Sequence, residues 1–334
     1  MTINLITGEY YDARKEEMWT KIAAVAPEDM PTPLWDSFLH KITDGDGALQ
    51  DYLQRMAGYC MTGLTSEQVL FFFYGTGANG KGVFINTLAG IWGDYAVAAA
   101  MTTFIASPSD NHPTELAMLH GARLVAAQET ESGRHWAEAR IKMITGEDPI
   151  TARFMRSDFF TYRPQFKLVI VGNHKPSLRY VDEAIKRRIH LVPFTVTIPP
   201  EDRDKQLFEK LKPEWPGILT WAVKGCLEWN KIGLAPPAAV TGATAKYLAD
   251  EDAFANWLTE CCVTGKGQWG LSAMLWSSWV NWSETNREFT GSRKAFGQEI
   301  EKRGFPADKN QGMRGYGGID LRPELKSQPP GDYD

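Results

Sequence analysis

The chain has 334 residues, 43% of them hydrophobic and 23% charged, and a formal net charge of −5. That is ordinary for a soluble globular protein and long enough for two or three domains with sizeable cores. The acidic balance excludes a globally basic nucleic-acid binder, so any DNA contact has to come from a local basic surface such as a pore or a wing.

Taken in order, residues 1–30 are polar and irregular, with a small strand and turn at Asn4–Tyr10. From about Leu34 to Thr62 the pattern turns helical. Trp35, Phe38 and Leu39 mark one helix, and Leu49, Leu53, Met56 and Ala57 a second. Both are expected to pack on the following domain or to form a collar.

The stretch Val69–Ala89, VLFFFYGTGANGKGVFINTLA, organises the rest. An apolar run suited to a buried parallel strand leads into a glycine-rich loop, and Val83, Ile85, Leu88 and Ala89 begin an amphipathic helix. Strand, glycine loop with lysine, then helix is the context of a phosphate-binding loop. Glycines let backbone N–H groups converge on phosphate oxygens, and the helix N-terminus adds its positive end. Gly75, Thr76, Gly77, Ala78, Asn79, Gly80, Lys81, Gly82 and Val83 are therefore the nucleotide-binding candidates, with Lys81 reaching the outer phosphates. The bland alternative is a strand-to-helix turn with a surface lysine. One position departs from the pattern: Gly82 stands where a Ser or Thr hydroxyl would bind Mg²⁺. Thr87, more than a turn further on, is a poor substitute.

Tyr95–Met101 is a short apolar segment, Asp110–Leu119 a loop and a helix, and Ala122–Ala127 a second buried strand. That strand runs into Gln128-Glu129-Thr130-Glu131, where an NTPase keeps carboxylates for metal and water. Glu129 is expected to polarise the attacking water, and Glu131 to support Mg²⁺ through water; a merely solvated strand end is the alternative. Glu138–Thr145 reads as a helix closed by Gly146. Ile150–Phe154 and Phe159–Tyr162 alternate like the arms of a hairpin with Arg156 at its tip and Arg153 and Arg163 on its arms. Phe166–Val171 is a third buried strand; Asn173 just beyond it could orient water or touch the terminal phosphate, or simply make a turn. Arg187 and Arg188 lie between a short helix and an apolar strand, where one of them could complete a neighbouring subunit's site, the other reading being a local salt bridge.

The C-terminal third is helical in pattern over 201–235 and breaks at Pro236-Pro237. Phe254, Trp257, Leu258 and Cys261 share one helix face, Leu275, Trp279 and Trp282 another, and Ser292 caps a third helix with Phe296 and Ile300 inside. A glycine-rich hairpin at 309–318 follows, so three helices and a hairpin compose a winged helix that could bind DNA or dock on partners. Residues 327–334 read as disordered. Cys60, Cys226, Cys261 and Cys262 lack zinc spacing, and the adjacent pair, in a helical pattern, reads as reduced thiols. With no signal peptide and no apolar run of about 18 residues, a cytoplasmic protein without a membrane partner is expected.

Five ordered segments carry a family likeness: Gly75–Lys81, Glu129–Glu131, Thr145–Arg153, Gly172–Pro176 and Ala184–Ile189. Together they resemble the superfamily 3 helicase domain of phage and plasmid primases, a group related to poxvirus primase-helicases, from roughly residue 34 onward. The resemblance implies an α/β fold: a AAA+-like P-loop NTPase core with a parallel sheet, a helical N-terminal collar and a C-terminal winged-helix domain. It implies a ring, usually a hexamer, that binds ATP and Mg²⁺ and moves 3′ to 5′ on single-stranded and forked DNA in a bacterial or phage-infected cell. Lys81, Glu129, Glu131, Asn173 and Arg187 or Arg188 then take the catalytic roles, and Arg153, Arg156 or Arg163 touch DNA. The expected division is 1–62 collar, 63–200 ATPase core, 201–237 helical extension, 238–326 winged helix and 327–334 tail. Family members often carry a primase or polymerase upstream; nothing before residue 34 supplies its metal-binding residues, so primer synthesis is not expected. The alternative function is a P-loop ATPase that remodels or loads replication proteins; a DNA-binding scaffold with a relict nucleotide fold is a third.

Overall fold

The computed structural model describes residues 1–106, 113–128, 134–179 and 181–326. The chain divides into two compact units, Met1–Leu178 with Asp182–Lys246, and Arg179–Val181 with Tyr247–Asp334.

The first unit opens with the short antiparallel pair β1 (Thr2–Ile3) and β2 (Tyr10–Tyr11). Helices α1 (Pro33–Ile42) and α2 (Gly47–Met61) follow. Asp46 caps α2 by accepting from the Leu49 N–H at 3.0 Å. Thr32 does not cap α1; instead the Glu214 carboxylate accepts from the N–H groups of Leu34 and Trp35 at 3.0 and 2.8 Å.

Five parallel strands make the central sheet: β3 (Leu70–Tyr74), β4 (Ala96–Ala100), β5 (Leu124–Gln128), then beyond the hairpin β6 (Ile150–Ala152) and β7 (Phe160–Tyr162), β8 (Lys167–Gly172) and β9 (Ile189–Pro193). Their order across the sheet is β4–β5–β8–β3–β9. Helices α3 (Lys81–Trp92), α4 (Pro113–Ala117), α5 (Glu138–Thr145) and α6 (Glu183–Lys186) connect them. Leu70, Phe71, Phe72 and Phe73 are all buried because β3 has a strand on each side and cover on both faces. The register aligns the C-terminal ends along one edge: Tyr74 lies opposite Gly172 and Pro193, and Gln128 opposite Val171.

Helices α7 (Leu207–Leu211) and α8 (Trp215–Ile232) complete this unit's core. Helices α2 and α8 cross backbone to backbone. A Cβ on Gly58 would come within 2.0 Å of the Cys226 nitrogen, and one on Gly225 within 2.0 Å of the Gln54 carbonyl oxygen. One continuous core joins Trp35 and Phe38 of α1 to Phe84 of α3, Phe73 of β3 and Phe194.

The chain continues through α9 (Ala238–Asp250) into α10 (Ala253–Cys261), β10 (Cys262–Leu271), α11 (Ser272–Asn286), α12 (Arg293–Lys302), β11 (Ala307–Asn310) and β12 (Met313–Leu321). Ser292 caps α12 by accepting from the Ala295 N–H, and Phe296 and Ile300 are buried, as their spacing predicts. The hairpin β11–β12 turns on Gln311 and Gly312, both at positive φ, the requirement of a tight two-residue turn. Strand β10 corrects the sequence reading. Cys261 ends a helix but Cys262 begins a strand, and β10–β12–β11 form an antiparallel sheet. Between Thr264 and Trp269 the register shifts, and Gly265 and Gly267 take positive φ there, which breaks the alternation that would have marked a strand. All four cysteines are free and buried, and burial raises the thiols of Cys60 and Cys262 to about 12. Among the described residues no helix is long and apolar enough to cross a membrane. Residues 327–334 lie outside the description.

Candidate functional site

The loop between β3 and α3 is shaped by three residues at positive φ: Gly77 at +103°, Ala78 at +49° and Gly80 at +83°. Gly80 is the N-cap of α3, no side chain caps that end, and no acid stands in its first turn. The helix therefore presents uncapped N–H groups and its positive end to whatever the loop holds. From below, the loop is gripped by apolar packing: a Cβ on Gly80 would strike Ile42 at 2.4 Å and Phe38 at 3.0 Å. From the side, Ile198 donates its N–H to the Ala78 carbonyl at 2.9 Å. Asn79, almost fully buried, donates its amide to the Phe194 carbonyl at 2.8 Å. That clamp ties the loop to the exit of β9, a role the sequence reading missed because Phe194 is 115 residues away. A Cβ on Gly75 would meet the same Phe194 oxygen at 2.0 Å.

Lys81 is only 5% exposed. Its ammonium donates to the Gly75 carbonyl at 2.8 Å and to Asn173 Oδ1 at 3.2 Å, and burial lowers its pKa. The structure thus brings together the lysine and the amide that the sequence singled out 92 positions apart. Strand β8, which ends one residue before Asn173, lies between β3 and β5. At roughly 4.8 Å per strand, the ends of β3 and β5 stand about 10 Å apart, enough for a terminal phosphate and a water between them. Glu129 and Glu131 follow Gln128 in sequence but lie outside the described residues. A second cation borders the site: Lys175 Nζ lies 4.7 Å from the centre of the Tyr74 ring, beside the loop's first residue. Thr87 is fully buried, its hydroxyl has no partner among the described residues, and it takes no part in the loop.

The arginine pair separates cleanly. Arg188 is 7% exposed, and its guanidinium donates to Thr145 Oγ1 at 3.1 Å, the Ala184 carbonyl at 2.7 Å and Gln68 Oε1 at 3.4 Å. Arg187 is exposed and makes no ion pair among the described residues. Both precede β9 and so lie at the edge of the sheet opposite Lys81 of their own chain.

The hairpin β6–β7 pairs Ile150 with Tyr162, Thr151 with Thr161 and Ala152 with Phe160, leaving 153–159 as an exposed tip. Its strands are shorter than the alternation predicts, since Arg153 and Phe154 already leave the ladder. Arg156 sits at the tip with φ +60°. Arg153 lies 4.7 Å over the Phe159 ring, and Arg163 donates to the Glu147 carbonyl at 2.9 Å.

A family of unknown function, DUF5906, matches residues 73–188, from the end of β3 to Arg188. The helicase-named protein L207/L206 of Acanthamoeba polyphaga mimivirus is 28% identical over 278 residues, 77% of this chain and 28% of its own length. The helicase-named protein 022R of Frog virus 3 (isolate Goorha) is 24% identical over 300 residues, 82% of this chain and 30% of its own. The chain therefore spans less than a third of these curated relatives. Among solved structures, the C-terminal region of NrS-1 in its apo form is similar, with a TM-score of 0.54 at 11% identity, over 88% of this chain and 77% of that one. A likeness at that identity is a likeness of fold.

Proposed function

We propose that the chain is the ATP-hydrolysing motor of a DNA helicase of the superfamily 3 kind, with a AAA+-like core. Its copies assemble into a ring, a hexamer, that moves 3′ to 5′ along single strands when a viral, phage or plasmid genome is replicated. The observation that carries this reading is the buried Lys81, held in a positive-φ loop at a helix N-terminus and bonded to Asn173. The helicase names of the two viral relatives support it.

Chemically, the cradle fits a nucleoside triphosphate. The ammonium of Lys81 is largely stripped of water, which lowers its pKa, so an anion at the loop gains a strong partner and favours the charged form. Asn173 stands where an amide orients the attacking water, and Glu129 takes the proton-polarising role. Mg²⁺ neutralises phosphate charge when bound. Glu131 and Glu129 would hold it through water, because Gly82 offers no hydroxyl. Arg187 is the finger that reaches a neighbouring subunit's nucleotide, and Arg188 braces it. Such fingers contribute about 10³–10⁵ in rate. Arg156 and Arg153 face the DNA backbone from the hairpin. The second unit, with its helix–strand–helix–helix–hairpin order, is a winged helix that contacts DNA or a primase or polymerase partner.

The test is ATP hydrolysis with and without single-stranded DNA at one salt concentration, beside Lys81→Ala. Turnover that rises with DNA and vanishes in the variant is expected. Turnover indifferent to DNA would favour a protein-remodelling ATPase, and no turnover would leave only a nucleotide-binding scaffold.

A further inference from the structure

The hairpin tip exposes three large apolar side chains. Phe154 is 46% exposed, Met155 71% and Phe159 58%. Behind them the rings form a column. Tyr162 is buried at its base, its hydroxyl donating to the Leu116 carbonyl at 2.5 Å and its ring met edge-on by His120 at 5.1 Å. Phe160 stacks on Tyr162 with centroids 5.9 Å apart and planes at 29°, and Phe154 stacks on Phe160 at 5.6 Å and 20°. The column ends at Phe154 with nothing stacked beyond it among the described residues. Next to Phe160 on the same arm, Phe159 already holds a planar cation, the Arg153 guanidinium, at 4.7 Å. Exposed apolar rings in an aqueous tip are unfavourable unless a partner covers them.

We propose that this tip is a base-stacking site. A base of a single-stranded nucleic acid extends the Tyr162–Phe160–Phe154 column, and a second base lies against Phe159, while Arg156 contacts the phosphate between. The occupant has to combine flat unsaturated rings with negative charge. The ring column and the arginines Arg153, Arg156 and Arg163, against the lone acid Asp158, match that combination. A paired duplex keeps its bases in its own stack and cannot supply a free ring face, so the site selects unpaired strand. This inference rests on the nucleic-acid reading of the hairpin and adds how it grips: by base faces as well as by phosphates. The alternative cover is the same tip of a second copy.

Binding of a single-stranded oligodeoxynucleotide and of an abasic strand of equal length separates these cases, because both carry the same phosphates. The intact strand is expected to bind at least about tenfold more tightly, because two bases stack at the tip. In Phe154→Ala with Phe159→Ala that preference should vanish, while Phe154→Trp keeps it. The slope of affinity against salt should be unchanged in the phenylalanine variants and shallower in Arg156→Ala. Circular dichroism and melting of Phe154→Leu, which keeps apolar bulk without a ring, separate a lost site from a lost fold. Equal binding of both strands overturns the stacking proposal and leaves the motor reading standing. No binding of either strand by a protein that still binds nucleotide overturns both. A phenylalanine variant that keeps the preference but sediments as smaller species assigns the tip to a contact between copies and overturns the proposal too.

Discussion

At Gly82 the loop lacks the hydroxyl that most phosphate loops place after their lysine, yet the position is open. A Cβ there would meet nothing within 4 Å, and its φ lies outside the left-handed region. Gly82→Ser therefore enters without strain, improves the first turn of α3, and supplies the missing Mg²⁺ ligand. Mg-nucleotide affinity is expected to stay equal or tighten, as titration of a fluorescent nucleotide would measure; a large loss would remove the phosphate-loop reading. Thr87→Val is the companion. It deletes a buried hydroxyl with no partner, so stability should be unchanged or higher and nucleotide affinity unaltered. These two positions also mark what a residue-by-residue reading can reach. Lys81 and Asn173 were legible because each follows an apolar strand, Lys81 across the glycine loop and Asn173 directly, and strand ends in a parallel sheet share an edge. Arg187 and Arg188 were not separable, since neighbours in sequence look alike. Thr145, Ala184 and Gln68, from three separate segments, decide which guanidinium is engaged inside the subunit.

Among the elements, β8 begins with a residue that no strand pattern anticipates. Lys167 is 2% exposed in the interior of the first unit. Its ammonium donates to the carbonyls of Thr62, Leu64 and Gln165 and to the Thr62 hydroxyl, and lies 4.8 Å from the Tyr59 ring centre. It thereby ties the end of α2 to the start of β8. Burial pulls its pKa from 10.5 to about 7. Between pH 7 and 10.5 the unfolded chain holds a proton that the folded chain releases, so stability should rise with pH across that window and level off below 7. Urea midpoints at pH 7 and pH 9 would measure this. Lys167→Met should erase the slope and also lower stability, by about 1–3 kcal/mol for each buried carbonyl left without a donor. A slope unchanged in the variant would assign it to another group. The apolar runs of β3, β5, β8 and β9 were readable because burial on both faces removes polar residues, whereas the edge strand β4 is only partly covered. Two things were not: β10, whose glycines break its alternation, and the capping of α1 by Glu214, 180 residues away.

For the whole molecule, the placement of Arg187 turns the proposed ring into a testable statement. Lys81 lies at the C-terminal edge of the sheet and Arg187 precedes β9 at the opposite edge, so no single chain brings them to one nucleotide. Under the proposed ring, a complete site takes Lys81 from one copy and Arg187 from the next. Lys81→Ala and Arg187→Ala should each abolish turnover alone. Mixed in equal amounts, they should recover it in part. A copy with intact Lys81 followed by one with intact Arg187 forms a whole site at about a quarter of the junctions of a randomly assembled ring. Arg188→Ala differs in kind. It removes the bonds to Thr145 and Ala184 inside its own copy but leaves Lys81 and Arg187 in place, so melting temperature should fall while turnover is reduced and not abolished. If the two inactive variants stay inactive at every mixing ratio although they co-assemble, the finger is not Arg187. If Arg187→Ala alone keeps full turnover, hydrolysis is completed within one copy and the shared site is wrong.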